Sequence, residues 1–219
     1  LRYSMSKERP PAGAQTNSLL AEPLRRLAET EKADEAIAQL EALLSRDYPF
    51  TTGLRGIYRS QGPGGVEQQL SKGILEHSLA HSKNQLVQKT LRYLIDMRNC
   101  MTVNKFWRWQ VRQAPTLTSG GTISPPQLQR IWANEDREQL TSLTTRLAGV
   151  TGSSDTVISM EQQLLYGLSK SLRRAGRDPL GLGVIIEYLW RAQQAAHNLL
   201  LKRTLTPDRE GLCEEVLLP

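Results

Sequence analysis

An all-α fold of long antiparallel helices, in two or three related helical repeats, is the architecture this 219-residue sequence predicts. Three observations carry the prediction. Apolar residues recur at three- and four-residue steps along most of the chain, the period of an amphipathic helix. Strand-like alternation is confined to one short stretch around Gly120-Gly121. Proline is absent from Val66 to Val111, and at about 1.5 Å per residue even half of that run makes a long helix.

The elements follow in order. Pro23 reads as the first turn of a helix carrying Leu24, Leu27 and Ala28. Ala36, Ile37, Leu40, Leu43 and Leu44 form a second periodic set. It ends before Tyr48-Pro49, because a residue preceding proline disfavours the α region. Gln61-Gly62-Pro63-Gly64-Gly65 reads as a loop. The proline-free run then carries Leu70, Ile74, Leu86, Leu91, Leu94 and Ile95, with a break expected between His81 and Asn84 and an end at Pro115. Thr116 to Ser124 alternates around its paired glycines as a hairpin would, but a structured loop is the expectation here. Ser124 reads as the N-cap of a helix opened by Pro125-Pro126 and carrying Leu128, Ile131 and Trp132. Helical patterning continues from Leu140 to Leu147, and Gly149 to Asp155 reads as a loop. Helices are expected from Ser159 to Ala175 and from Val184 to Leu205, with a short last one from Asp208 to Leu218. The organisation this gives is an N-terminal helical segment (1–60), one helical repeat (61–150) and a C-terminal helical repeat (151–219).

Composition narrows the class. Hydrophobic residues at 39% and charged residues at 23% are the balance of a globular chain, neither disordered nor membranous. The most apolar stretch, Val184 to Leu201, is interrupted by Glu187, Arg191 and His197, short of the roughly 18 uninterrupted residues a membrane helix needs. Leu1 to Ser18 lacks the apolar core of a signal peptide, and Cys100 and Cys213 are the only cysteines. Those two facts set the expectation of a cytoplasmic address without a disulfide framework. A formal net charge of +6 permits a nucleic acid, an anionic membrane surface or an acidic protein as partner without choosing among them.

Catalytic signatures are missing. A Walker loop needs a lysine directly after its last glycine to meet the phosphates, whereas the stretch Gly56 to Gly62 is followed by Pro63. Gly181-Leu182-Gly183 precedes a helix but lacks the third glycine of a dinucleotide fingerprint. His77 and His81 have the spacing of a zinc protease helix, yet Ser78 stands where the general-base glutamate would. No catalytic residue, cofactor or metal site is therefore expected. Lys105-Phe106-Trp107-Arg108-Trp109 with Arg112 is the most distinctive cluster. Phe106 and Trp109, three apart on a helix, should share a core-facing stripe, leaving Lys105, Arg108 and Arg112 as a solvated face. Basic residues interleaved with aromatics also suit nucleic acid, so a basic α-helical nucleic-acid-binding protein is the alternative reading. Arg173-Arg174 and Arg177 crowd a helix end, where cations favour the dipole. Arg108, Arg112, Arg173 and Arg174 are the candidate partner contacts.

One internal similarity supports the repeats. Glu67-Gln68-Gln69-Leu70 with Gly73 returns as Glu161-Gln162-Gln163-Leu164 with Gly167, and each copy leads into a helix carrying an asparagine, Asn99 and Asn198. A glycine inside a helix costs about 1 kcal/mol against alanine, so Gly73 and Gly167 at matched positions point to close helix contacts.

At Ile95-Asp96-Met97-Arg98-Asn99 the chain resembles the aliphatic-Asp-aliphatic-x-Asn signature of the C/d (AC39-type) subunit of V-type and archaeal-type rotary ATPases. Basic residues follow in that family, as Lys105 and Arg108 do here, and Gly120-Gly121-Thr122-Ile123 resembles its Gly-Gly-x-aliphatic segment. Asp178-Pro179-Leu180-Gly181, Ile186-Glu187-Tyr188-Leu189 and the run from His197 to Lys202 are similar to its final long helix, and Thr206 to Leu217 to its last short one. The resemblance spans roughly Val66 to Leu218 and rests on the order and spacing of these motifs. It implies the all-helical fold of the AC39-type family of V-type ATPases. It also implies a non-catalytic connector that sits on the membrane rotor ring, grips the central stalk and couples nucleotide turnover to proton or sodium transport. Asp96 and Asn99 would then be structural, bonding backbone, and the asparagines Asn99 and Asn198 would join neighbouring repeats.

Overall fold

The computed structural model describes residues 30, 32–149 and 159–204, and all the regular structure among them is helical. The elements are α1 (Ala33–Leu44), a 3-10 turn (Pro49–Thr51), α2 (Leu54–His81), α3 (Gln85–Arg108), α4 (Pro125–Ala133), α5 (Arg137–Ala148), α6 (Met160–Ala175) and α7 (Leu182–Thr204). The helices expected around Leu24 and from Asp208 to Leu218 lie outside the described residues, as does most of the loop to Asp155. The chain divides into two compact units that meet at Ser78 and Leu79, within α2.

In the first unit the predicted periodicity of α1 is the face that is buried: Ile37 and Leu40 close against Leu54 and Val66 of α2, with Leu44, Ile57 and Leu70 packed around them. Full burial of each such aliphatic side chain contributes about 1.5–3 kcal/mol. The loop expected at Gln61 to Gly65 is instead a kink inside α2. Only Gly62 leaves helical geometry (φ 68°, ψ −164°), and Pro63 follows it. The physical reason is economy of backbone. A single glycine can take a conformation closed to other residues, and proline at the first helical position needs no N–H partner. Two acidic side chains of α1 tie the start of α2. Glu41 accepts from the backbone N–H groups of Gly53 (2.7 Å) and Arg55 (3.1 Å). Asp34 is gripped by the guanidinium groups of Arg55 and Arg59, which hold its carboxyl well below the usual carboxylate range.

The second unit begins its long helix where the sequence placed the break. Asn84 caps α3, its side-chain oxygen accepting from the N–H groups of Leu86 (2.9 Å) and Val87 (3.2 Å). The helix ends at Arg108, well short of Pro115, because Trp109 and Gln110 turn the chain out, Gln110 with a positive φ of 52°. The core gathers Cys100 and Val103 of α3, Leu128 and Ile131 of α4, Leu140 of α5 and Leu164 of α6. Thr116 to Ser124 is a loop among these helices and contributes Leu117 and Ile123 to the same core. Asp136 caps α5 by accepting from Gln139 N–H (2.9 Å). Ser159 and Gln162 form a reciprocal capping box at the start of α6.

Cys100 is fully buried in this core, and desolvation, followed by the neighbouring Asp96, pushes its thiol up to about 12. An unperturbed thiol ionises near about 8.5. Above that pH the unfolded chain releases a proton that the folded chain retains, so the fold weakens as pH rises through this window. In a Cys213→Ser variant, Cys100 should therefore be inert to Ellman's reagent at pH 8 and react only as urea unfolds the protein. Rapid labelling of the native state would contradict the burial.

Candidate functional site

The residues with the sharpest sequence signature converge on one junction. Asp96 and Asn99, one helical turn apart on α3, are both buried and both face the Thr116–Ser124 loop. Asp96 accepts from the backbone N–H groups of Thr122 (2.9 Å) and Ile123 (3.0 Å) and, through a short contact, from the Thr122 hydroxyl. Asn99 completes a two-way bond with Thr118, donating from Nδ2 to its carbonyl (2.8 Å) and accepting at Oδ1 from its N–H (2.9 Å). A loop running through a core has no ladder of its own to satisfy its polar backbone, and these two side chains supply the missing partners. Gly121 permits the approach, since a Cβ there would overlap Asp96 Oδ1. Arg92 adds an outer bond to the Gly120 carbonyl (3.2 Å). The Gly-Gly-Thr-Ile segment and the Ile-Asp-x-x-Asn segment are thus two halves of one clasp.

The two matched glycines are both sites of close packing, against unlike neighbours. A Cβ at Gly73 would enter the ring of Phe50, which stacks with Tyr48 and His77 in the first unit. A Cβ at Gly167 would lie 2.6 Å from Ala148 Cα and from the Tyr93 hydroxyl. Tyr93 donates that hydroxyl to the Leu164 carbonyl (2.7 Å), so α3, α5 and α6 come together around Gly167. The paired motifs also differ locally. Gln162 is part of the capping box at the start of α6, while the equivalent Gln68 lies inside α2. Asn198 is half-buried beside the groove between α6 and α7, apart from the clasp that holds Asn99.

The aromatic cluster needs a correction. Trp109 does not enter the core but is 67% exposed, because α3 ends at Arg108 and helical spacing no longer governs position 109, and Phe106 is only half-buried. Trp107 packs inward in its place, donating from Nε1 to the Trp132 carbonyl (3.2 Å) under the guanidinium of Arg137. Arg112 is exposed but lies beyond the helix, so it does not share a helical face with Lys105 and Arg108. Arg173 and Arg174 are exposed in the last turn of α6, as their sequence context implied.

Thr118, Thr122 and Gly121, which complete the clasp, carry no signal of their own beyond the Gly-Gly pair. The capping box had one, Ser159-x-x-Gln162, read instead as part of a repeat. Among the described residues, no group of His, Cys, Asp or Glu is arranged to hold a metal ion, and no helix is long and apolar enough to cross a membrane.

In this all-helical fold the signature aspartate and asparagine hold a glycine-containing loop against α3. Residues 9–201 match the family described as ATP synthase (C/AC39) subunit, and the chain belongs to that family. Its members are subunits of the V-type ATPase complex. No curated protein matches the chain.

Proposed function

We propose that this chain is the non-catalytic connector of a rotary V/A-type ATPase, coupling the central stalk to the membrane rotor ring during proton or sodium transport. The observation that carries the reading is the family match over residues 9–201. The Asp96–Asn99 clasp supports it, because a torque-bearing part must resist shear between its helices and close-packed, fully bonded junctions do so. In this reading the protein is cytoplasmic and peripheral to the membrane, residues 61–150 and 151–219 are related repeats following the 1–60 segment, and Arg108, Arg112, Arg173 and Arg174 are partner contacts. It needs no cofactor, and calorimetry with Mg-ATP should give no saturable heat. A micromolar nucleotide site would overturn it.

One observation favours a second reading. Trp109 stands exposed beside the exposed cations Lys105 and Arg108, an arrangement that can stack a base and meet phosphate. Competition separates the two. Pull-down with the central-stalk protein of the same organism should survive excess duplex and single-stranded DNA. Submicromolar DNA binding at physiological salt without stalk binding would replace the connector by the nucleic-acid reading.

A further inference from the structure

Helix α7 is amphipathic in the wrong sense for a surface helix. The side it turns toward α6 carries polar groups: Trp190 Nε1 donates to Ser169 Oγ (2.9 Å), Glu187 pairs with Arg191, and Gln194 is 9% exposed with a side-chain oxygen that receives no donor. Its outer side is apolar. Ile185, Tyr188, Leu189 and Leu199 are each more than half exposed, and Ala192, Ala195 and Ala196 continue the stripe between them. Ile185, Ala192 and Leu199 repeat at seven residues, with Tyr188 and Ala195 at the intervening heptad position. That is the spacing of a coiled-coil seam, and from Ile185 to Leu199 it runs about 21 Å. Alanines at its centre let a second helix axis come close.

Charge narrows the occupant. A groove of about 530 Å³ between α6 and α7 borders the stripe at Ala195 and is lined by Arg173, Arg191 and Gln194. Arg174 and Arg177 stand exposed nearby in sequence, and Arg173 has no acidic partner among the described ion pairs. We infer that α7 and the rim of this groove dock one amphipathic α-helix of another protein, apolar on one side and flanked by acidic residues. Its seam covers Ile185 to Leu199, and its flanking carboxylates meet Arg173 and Arg191. Contiguous exposed apolar surface of this kind marks interaction sites, and opposite charge at the rim sets orientation and partner choice. The inference rests on the reading of this chain as part of an assembly, and it names the surface and the chemistry of the partner.

The probes are two stapled synthetic helices of about four heptads with one shared Leu/Ala seam, flanked in one case by Glu and in the other by Lys. By fluorescence anisotropy the acidic helix should bind the full chain at least about tenfold more tightly than the basic one. Tyr188→Ser with Leu189→Ser should weaken it by about tenfold or more without lowering the melting temperature, since both positions are exposed. Arg173→Glu should abolish the preference for the acidic probe. Equal binding of the two probes, or unchanged binding by the α7 variant, overturns the proposal. So does a dimer in sedimentation that Leu189→Glu dissociates, which would make a second copy the occupant. A large gain in probe affinity on removing residues 205–219 would assign the face to the chain itself and overturn it too. The connector reading fails separately. Stalk capture undiminished by the α7 variant sinks only this surface, whereas probe binding on α7 without any stalk binding sinks only the connector.

Discussion

Asp96→Ala is expected to destabilise the second unit by about 4 kcal/mol, because it strips three donors of the Thr116–Ser124 loop of their acceptor at once. Each buried donor left unpaired costs about 1–3 kcal/mol, and a cavity is added where the carboxyl group stood. All four tryptophans, Trp107, Trp109, Trp132 and Trp190, lie after residue 79, so their fluorescence in urea reports this unit alone. The midpoint should fall sharply, and limited proteolysis should now cut within Thr116 to Ser124. Gln129→Ala, at an exposed position of α4, serves as the control and should move the midpoint by less than about 0.5 kcal/mol. A loss below about 1 kcal/mol for Asp96→Ala would mean that the loop is held by its apolar residues Leu117 and Ile123 instead.

Gly167→Ala should cost about 2 kcal/mol despite improving helix propensity. The added methyl meets Ala148 Cα and carbonyl oxygen, backbone atoms that cannot rotate away, and the Tyr93 hydroxyl. Overpacking of this kind costs about 1–3 kcal/mol, and forced against backbone it belongs at the top of that range. The gain of about 1 kcal/mol from replacing a helical glycine offsets only part of it. Restoring space by Tyr93→Phe should recover little, because the backbone contact remains. The same urea titration reads both variants. A neutral or stabilising Gly167→Ala would show that α5 and α6 separate freely, and the closeness of that contact would lose its structural role.

Much of the helical framework was legible. The period of Ala36, Ile37 and Leu40 maps directly onto the buried face of α1, and Asn84 stands at the break predicted before α3, because caps and amphipathic faces are local properties written in nearby residues. Sequence order was equally sufficient for the family, whose motifs at Ile95 to Asn99 and Gly120 to Ile123 are recognisable as they stand. What failed were boundaries and neighbours. Gly62 absorbs in one residue the turn that five loop-forming residues led one to expect, and Trp109 escapes the core because the chain leaves the helix one residue earlier.

By itself, then, the sequence determined an all-helical chain, its family, and the identity of Asp96 and Asn99 as residues worth locating. Only the tertiary structure decided what they hold. The bonds from Asp96 and Asn99 reach 19 to 27 residues along the chain, and the Tyr93–Leu164 bond reaches 71. No helical or strand periodicity encodes a partner at such distances, because which loop fills a gap in a core depends on the packing of every helix around it. The apolar outer face of α7 is the same lesson in reverse. Its spacing was visible as a helix, but which side would meet α6 was settled only in the fold, where Trp190 donates to Ser169 of α6. That left the hydrophobic stripe to face outward.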